Sequence, residues 1–230
     1  MNFFNSLIDD VCDLLNLKNQ TAETYSSADC WQDVGYNQVI LQRDTAFELD
    51  GVGFNLVTSS PVNDSVVVVG ADLDKIKNDC SFARISIIQI DDVADEQQNY
   101  NLIRKIEYVK YHYFPQGYMI RTSSKGHKEV VRVSKESVSD GITFGKVGNL
   151  LISKFKENPA VKGVKIIFVT DQNADFSKIE ALAHKNNSIT ETLNHIMNNV
   201  NFDCSTCNLK AICDEVEGMK ELHFKTSMKG

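Results

Sequence analysis

No run of apolar residues in this 230-residue chain approaches the eighteen or so that a membrane span requires. An excess of basic charge is also missing. With 24 Lys and Arg against 31 Asp and Glu, the formal net charge is −7. A surface of that sign does not displace counterions from phosphates, which argues against a general affinity for nucleic acid and leaves room only for small basic patches. The apolar N-terminus, MNFFNSLIDDVCDLLNLKN, lacks the basic stretch of a secretory leader and carries Asp9, Asp10 and Asp13. It reads as an amphipathic helix, with Phe4, Leu7, Ile8, Val11, Leu14 and Leu15 on one face. There is no internal repeat and no low-complexity tract. Neither G-x-x-x-x-G-K-S/T nor G-x-G-x-x-G occurs, so Gly145 and Gly148 in F-G-K-V-G do not make a phosphate loop. These absences place the protein in the cytoplasm, with no membrane or nucleic-acid partner, where thiols stay reduced.

What is present can build a core: 42% of residues are hydrophobic and 24% are charged, which excludes disorder as the default. SVVVVGADL and ARISIIQI (83–90) read as buried strands, as does GVKIIFVTD, and short strands are expected in the 38–43 region (NQVILQ) and in TAFELDGVGF. The period changes to 3.6 between Asn99 and Tyr113, and again at Phe144, Val147, Leu150, Leu151 and Phe155, which predicts two helices. YMIRTSS and EVVRV flank a turn with Gly126 and predict a β-hairpin, after which Ser134 offers an N-cap. Residues 174–200 are helical with a break expected at 186–188, and a last helix covers DEVEGMKELHF. The fold class is α/β, a mixed sheet flanked by helices, with an N-terminal helical arm (1–35), a main domain (36–200) and a C-terminal cysteine-rich metal segment (201–230).

The chemistry concentrates in CSTCNLKAIC, where Cys204, Cys207 and Cys213, half of the six cysteines, fall within ten residues at a C-x2-C-x5-C spacing. In a reducing compartment such clusters bind metal more often than they form disulfides, because a tight turn makes the C-x2-C sulfurs converge on one centre. A fourth ligand is needed. His223 lies ten residues beyond Cys213, about 15 Å along a continuous helix, and only a kink at Gly218 would bring it back. Of Cys12, Cys30 and Cys80, Cys30 is preferred because it sits in a polar loop. An iron–sulfur cluster (4Fe-4S) is the first reading, with Leu209, Ala211 and Ile212 as an apolar cover and Lys210 offsetting thiolate charge. A structural zinc is the alternative, and free buried thiols are the third.

The stretch VRVSKESVSDGITFGKVGNLLISKFKENPAVKGVKIIFVTDQ (131–172) resembles the acetyl-CoA synthase (beta) subunit of the carbon monoxide dehydrogenase/acetyl-CoA synthase complex, in the domain before the nickel-bearing one. An R-V-S-K segment, an amphipathic helix and a strand ending in T-D-Q follow in the same order there. SVVVVGADL is similar to an earlier V-G-x-D-L strand-turn, and the terminal cysteine segment resembles cysteine-bearing segments of relatives, so the likeness spans about 50–224. It implies other subunits of such a complex as partners, and coenzyme A as a ligand of basic residues in this region. Arg121 and Arg132, on the two hairpin strands with Lys135 and Lys146 close in sequence, are the candidates, because guanidinium suits phosphate; a solvated strand face is the other reading of them. Family catalysis joins CO, a methyl group and coenzyme A at a nickel site whose ligands include Cys-Gly-Cys in a later domain. This chain has no Cys-Gly-Cys and stops where that domain would begin. The expectation is therefore a stand-alone accessory, electron-transfer or assembly component with no catalytic residues of its own. The alternatives are a coenzyme-A-like binding module with a zinc, or a subunit whose nickel domain is a separate chain.

Overall fold

In a computed structural model of the chain the described residues are 3–34, 53–70, 76, 80–91, 95–109, 113, 115–116, 118–123, 128–198 and 207–227. For 80–81, 118–123, 128–132 and 226–227 the description is of backbone alone. The elements in chain order are α1 (Asn5–Leu14), β1 (Ala22–Thr24), β2 (Gly53–Thr58), β3 (Ser65–Val69), β4 (Cys80–Ile90) and α2 (Glu96–Val109), then β5 (Tyr118–Ser123), β6 (Lys128–Val133), α3 (Lys135–Ser139), α4 (Phe144–Lys156) and β7 (Val161–Val169), and last α5 (Phe176–Met197), α6 (Lys210–Glu215) and α7 (Met219–Ser227).

Seven strands form one mixed sheet in the order β1-β3-β7-β4-β6-β5, with β2 also paired to β4. The pairs β2/β4 and β3/β7 are parallel, and the remaining pairs are antiparallel. The near-continuous Val and Ile of β3, β4 and β7 reflect burial on both faces, since helices cover each side. On one face, Phe144 of α4 meets Phe82 and Phe168 with ring centroids 5.2 and 4.9 Å away. α2 joins that face through Asn55 Nδ2, which donates to Glu107 Oε1 at 3.0 Å. On the other face, α1 is tied to β2 by Thr58 Oγ1 donating to Asn5 Oδ1 at 3.0 Å. Phe4, Leu7 and Val11 of this helix and the residue before it are at most 1% exposed, so the expected N-terminal arm is packed into the common core.

α4 begins where Thr143 Oγ1 accepts a hydrogen bond from the Lys146 backbone N–H at 3.1 Å, a standard N-cap. It lies so close to the sheet that a Cβ on Gly148 would stand 2.6 Å from Val66 Cγ2. The glycines of F-G-K-V-G thus serve contact: Gly148 against Val66, and Gly145 against the Glu23 carboxylate.

Three expectations change. α5 runs unbroken through 186–188. Asn186 is 2% exposed, and Thr190 and Thr192 return their hydroxyls to the carbonyls of Asn186 and Ser188, so these polar residues bond along the helix instead of ending it. α2 starts at Glu96 because Asp95 Oδ1 accepts from the Gln98 N–H at 2.7 Å. The last helix is two, divided at Gly218, whose φ of +80° is left-handed backbone. The strand expected in the 38–43 region and the hairpin turn with Gly126 and His127 lie outside the described residues. Only the end of TAFELDGVGF enters β2.

Candidate functional site

Chain order alone brings the C-terminal helices to α5, and four apolar residues hold them there. Leu209, Val216, Met219 and Leu222 are at most 9% exposed. Around them, Lys185 pairs with Glu215 at 2.7 Å, Lys220 with Asp214 at 2.7 Å and Lys225 with Glu96 at 3.4 Å. The hydrogen bond from Lys220 holds the Asp214 carboxyl below its ordinary range, and Asp214 in turn raises the Lys220 ammonium.

Cys207 and Cys213 belong to this unit. Lys210 N–H donates to the Cys207 carbonyl at 3.3 Å in the turn that opens α6, and Cys213 lies within α6, its N–H on the Leu209 carbonyl at 3.2 Å. Both thiols are half-buried and neither is in a disulfide. Cys204 lies outside the described residues. Among the described residues no three Cys, His, Asp or Glu side chains converge on a point that would hold a metal ion, His223 included.

Cys30 is elsewhere. It follows a single turn of 3-10 helix, Ser27–Asp29, that packs on α4: Asn149 Nδ2 donates to the Asp29 carbonyl at 3.2 Å. Its thiol points to the Ser26 carbonyl at 3.7 Å, and burial pushes its pKa up. This is the β1 side of the sheet, whereas α5, on which the C-terminal helices pack, contacts β2. Between β1 and β2 the order is β1-β3-β7-β4-β2. Cys30 thus lies beside α4, and Cys213 lies on α6, which packs against α5. Cys12 sits on α1, where burial also raises its pKa, against the nearby charge of Lys165.

The hairpin register places both arginines on one face. Arg121 pairs with Val130 and Arg132 with Met119, so the two are diagonal neighbours on the same side of β5/β6. Ser81 pairs with Val130 and shares that face, while Phe82, next along β4, faces α4. Lys146 is engaged elsewhere: its ammonium donates to the Gly141 carbonyl at 3.1 Å and lies 5.9 Å from the Trp31 ring centroid. Asp171 supports its own turn, accepting from Asn173 N–H at 2.9 Å, and the cap of α5 is Asp175.

Sequence reasoning also missed a cavity of about 330 Å³ between α2, α5 and α7, lined by Glu96, Ile103, Leu193, Glu217, Glu221 and Leu222 among others. Its signal was the Glu217-Gly218 pair inside an apparently continuous helix. No described helix is long and apolar enough to cross a membrane.

No curated protein matches this chain. A family model does: that of the CO dehydrogenase/acetyl-CoA synthase complex beta subunit, over residues 36–174. This span takes in the sheet from β2 through β7, both candidate arginines and the α4 contact, and it exceeds half of the chain. The protein therefore belongs to the CO dehydrogenase/acetyl-CoA synthase complex beta subunit family.

Proposed function

We propose that this member of the family holds an iron–sulfur cluster (4Fe-4S) on Cys204, Cys207 and Cys213, and works as an accessory, electron-transfer or assembly component beside other subunits of a carbon monoxide dehydrogenase/acetyl-CoA synthase-like complex in the cytoplasm. The observation that carries the reading is the C-x2-C-x5-C density in a family built around such a complex. The donor set supports it. All three are thiols, two of them half-buried, Cys207 in the turn before one short helix and Cys213 within it, and soft thiolates select zinc or iron–sulfur centres over carboxylate metals. A bound cluster would supply one-electron transfer. The chain's part is to hold it, with Leu209 buried between the two described cysteines as an apolar wall. No Cys-Gly-Cys occurs in this sequence, and no nickel ligand is assigned to its residues.

Anaerobic purification followed by iron, sulfide and zinc analysis tests the reading. Brown protein with iron and sulfide in equal amounts, lost in Cys207→Ser or Cys213→Ser, is the expected result. Stoichiometric zinc in colourless protein turns the site into a structural zinc, and protein with no metal at all ends the proposal.

The hairpin supports a second assignment within the same family: Arg121 and Arg132 as an anion site for a phosphorylated ligand such as coenzyme A. The register sets these two residues at diagonal positions on one face of the strand pair, and a phosphate bound there would offset their like charges. Calorimetric titration of coenzyme A at low salt is the test. Affinity unchanged in an Arg121→Ala, Arg132→Ala double variant refutes it.

A further inference from the structure

We propose that the cavity between α2, α5 and α7 binds a small organic cation, a primary amine or guanidinium carried on an apolar body. Its volume of about 330 Å³ lies at the lower end of small-molecule sites, which run from about 300 to 1,000 Å³. The floor is apolar. Ile103 of α2, Leu193 of α5 and Leu222 of α7 are 3%, 2% and 6% exposed, and the Phe3 ring closes one side next to Gly218. The rim has the opposite character, with Glu96, Glu217 and Glu221 against a single cation, Lys225. That one ammonium sits 3.4 Å from Glu96 Oε1, so the rim already accepts a cation of this kind at one of its three carboxylates. Glu221 also feels the charge of Lys220, whose own salt bridge is to Asp214.

The distribution of charge selects the ligand class. An organic anion is repelled by a rim two charges negative. A neutral apolar molecule gains from the floor alone. An amine with an aliphatic or aromatic body buries that body on Ile103, Leu193 and Leu222 and places its charge between Glu217 and Glu221, where charge-assisted hydrogen bonds are the stronger kind. Gly218, which follows Glu217 and precedes α7, takes left-handed backbone where the chain passes from α6 to α7. The site shares the α6–α7 pair with the cysteine segment, but it uses none of the cysteines and stands whether or not a cluster is bound.

The test uses the full-length chain and three probes of like shape: phenethylamine, 2-phenylethanol and 3-phenylpropionate, titrated at low salt and followed by nuclear magnetic resonance. The amine is expected to saturate and to bind at least about tenfold more tightly than either analogue, with affinity falling as salt rises because the rim carboxylates are exposed. A Glu217→Gln, Glu221→Gln double variant, changed only on the surface, is expected to weaken the amine about tenfold and leave the alcohol unaffected. No saturable amine binding, equal affinity for all three probes, or an amine affinity untouched by the double variant each overturns the proposal.

Discussion

Replacing Gly148 with alanine measures how tightly α4 is pressed onto the sheet. The added Cβ would stand 2.6 and 2.8 Å from the two methyls of Val66 and 3.3 Å from the Phe168 ring, where ordinary contact begins at 3.4 Å. Val66 is the residue that would have to give, and it is poorly placed to do so. It is 1% exposed, its β-branched side chain has a stiff χ1, and its strand is held between β1 and β7. The helix must lift instead, and overpacking of this kind costs about 1–3 kcal/mol. The backbone on both sides is fixed, which argues for the upper half of that range. Alanine in mid-helix returns about 1 kcal/mol relative to glycine. The net expectation is a loss of roughly 1–2 kcal/mol.

A partner substitution makes the reasoning refutable. Val66→Ala alone removes the two methyls and leaves a cavity, a loss of about 2–3 kcal/mol. Combined with Gly148→Ala, the new Cβ occupies the space the methyls vacated, so the double variant should exceed the additive expectation by about 1–2 kcal/mol. Urea unfolding with an unchanged m-value reads all four corners of the cycle. A Gly148→Ala protein as stable as the parent, or a strictly additive double variant, would show that α4 does not rest on Val66.

Thr143→Ala removes the cap that accepts the Lys146 N–H and should cost about 1 kcal/mol in the same assay, with Thr143→Ser recovering most of it. The Asp214 carboxyl should titrate below its ordinary range by nuclear magnetic resonance and return to that range in Lys220→Met. Because its folded value is depressed, the stabilisation from the pair is present above the unfolded carboxylate value and disappears as pH falls through the folded one, and Lys220→Met should lose this acid-side dependence. Cys204→Ser, Cys207→Ser or Cys213→Ser should lower metal content, and metal loss in Cys30→Ser as well would identify Cys30 as the fourth ligand.

The sheet was legible where one physical cause dominates. SVVVV, ARISIIQI and VKGVKIIFV are buried on both faces, so their composition alone identifies β3, β4 and β7. The hairpin was legible from alternation and its turn, and α4 from its cap and apolar stripe. β2 was seen only at its start because Asn55 and Thr58 interrupt its apolar run, and their polarity answers to Glu107 and Asn5, partners distant in sequence. The break placed at 186–188 failed for the same reason in reverse: Asn186 looks like a turn residue and is buried inside α5. At the candidate site, the spacing of Cys204, Cys207 and Cys213 is a local fact readable in the sequence, whereas the packing of the Cys30 loop on α4 depends on Asn149, a partner 120 residues away.

The position of the family match within the fold separates the two proposed sites physically. The match ends at residue 174, and Asp175 immediately after it caps α5 by accepting from the Lys178 N–H at 3.1 Å. The matched region therefore holds the sheet from β2 to β7 and the arginine hairpin, while Cys213 is carried on α6, which packs on α5, and α5 contacts β2. α5 touches α1, α2 and β2 without reaching the hairpin among its principal contacts. Anion binding at Arg121 and Arg132 should thus survive loss of the metal centre, and metal content should survive loss of the arginines. A common site would make them fall together. Strand order makes the two independent, because β5 and β6 meet the rest of the sheet at Cys80–Phe82, whereas β2 meets it further along β4, at Arg84–Gln89.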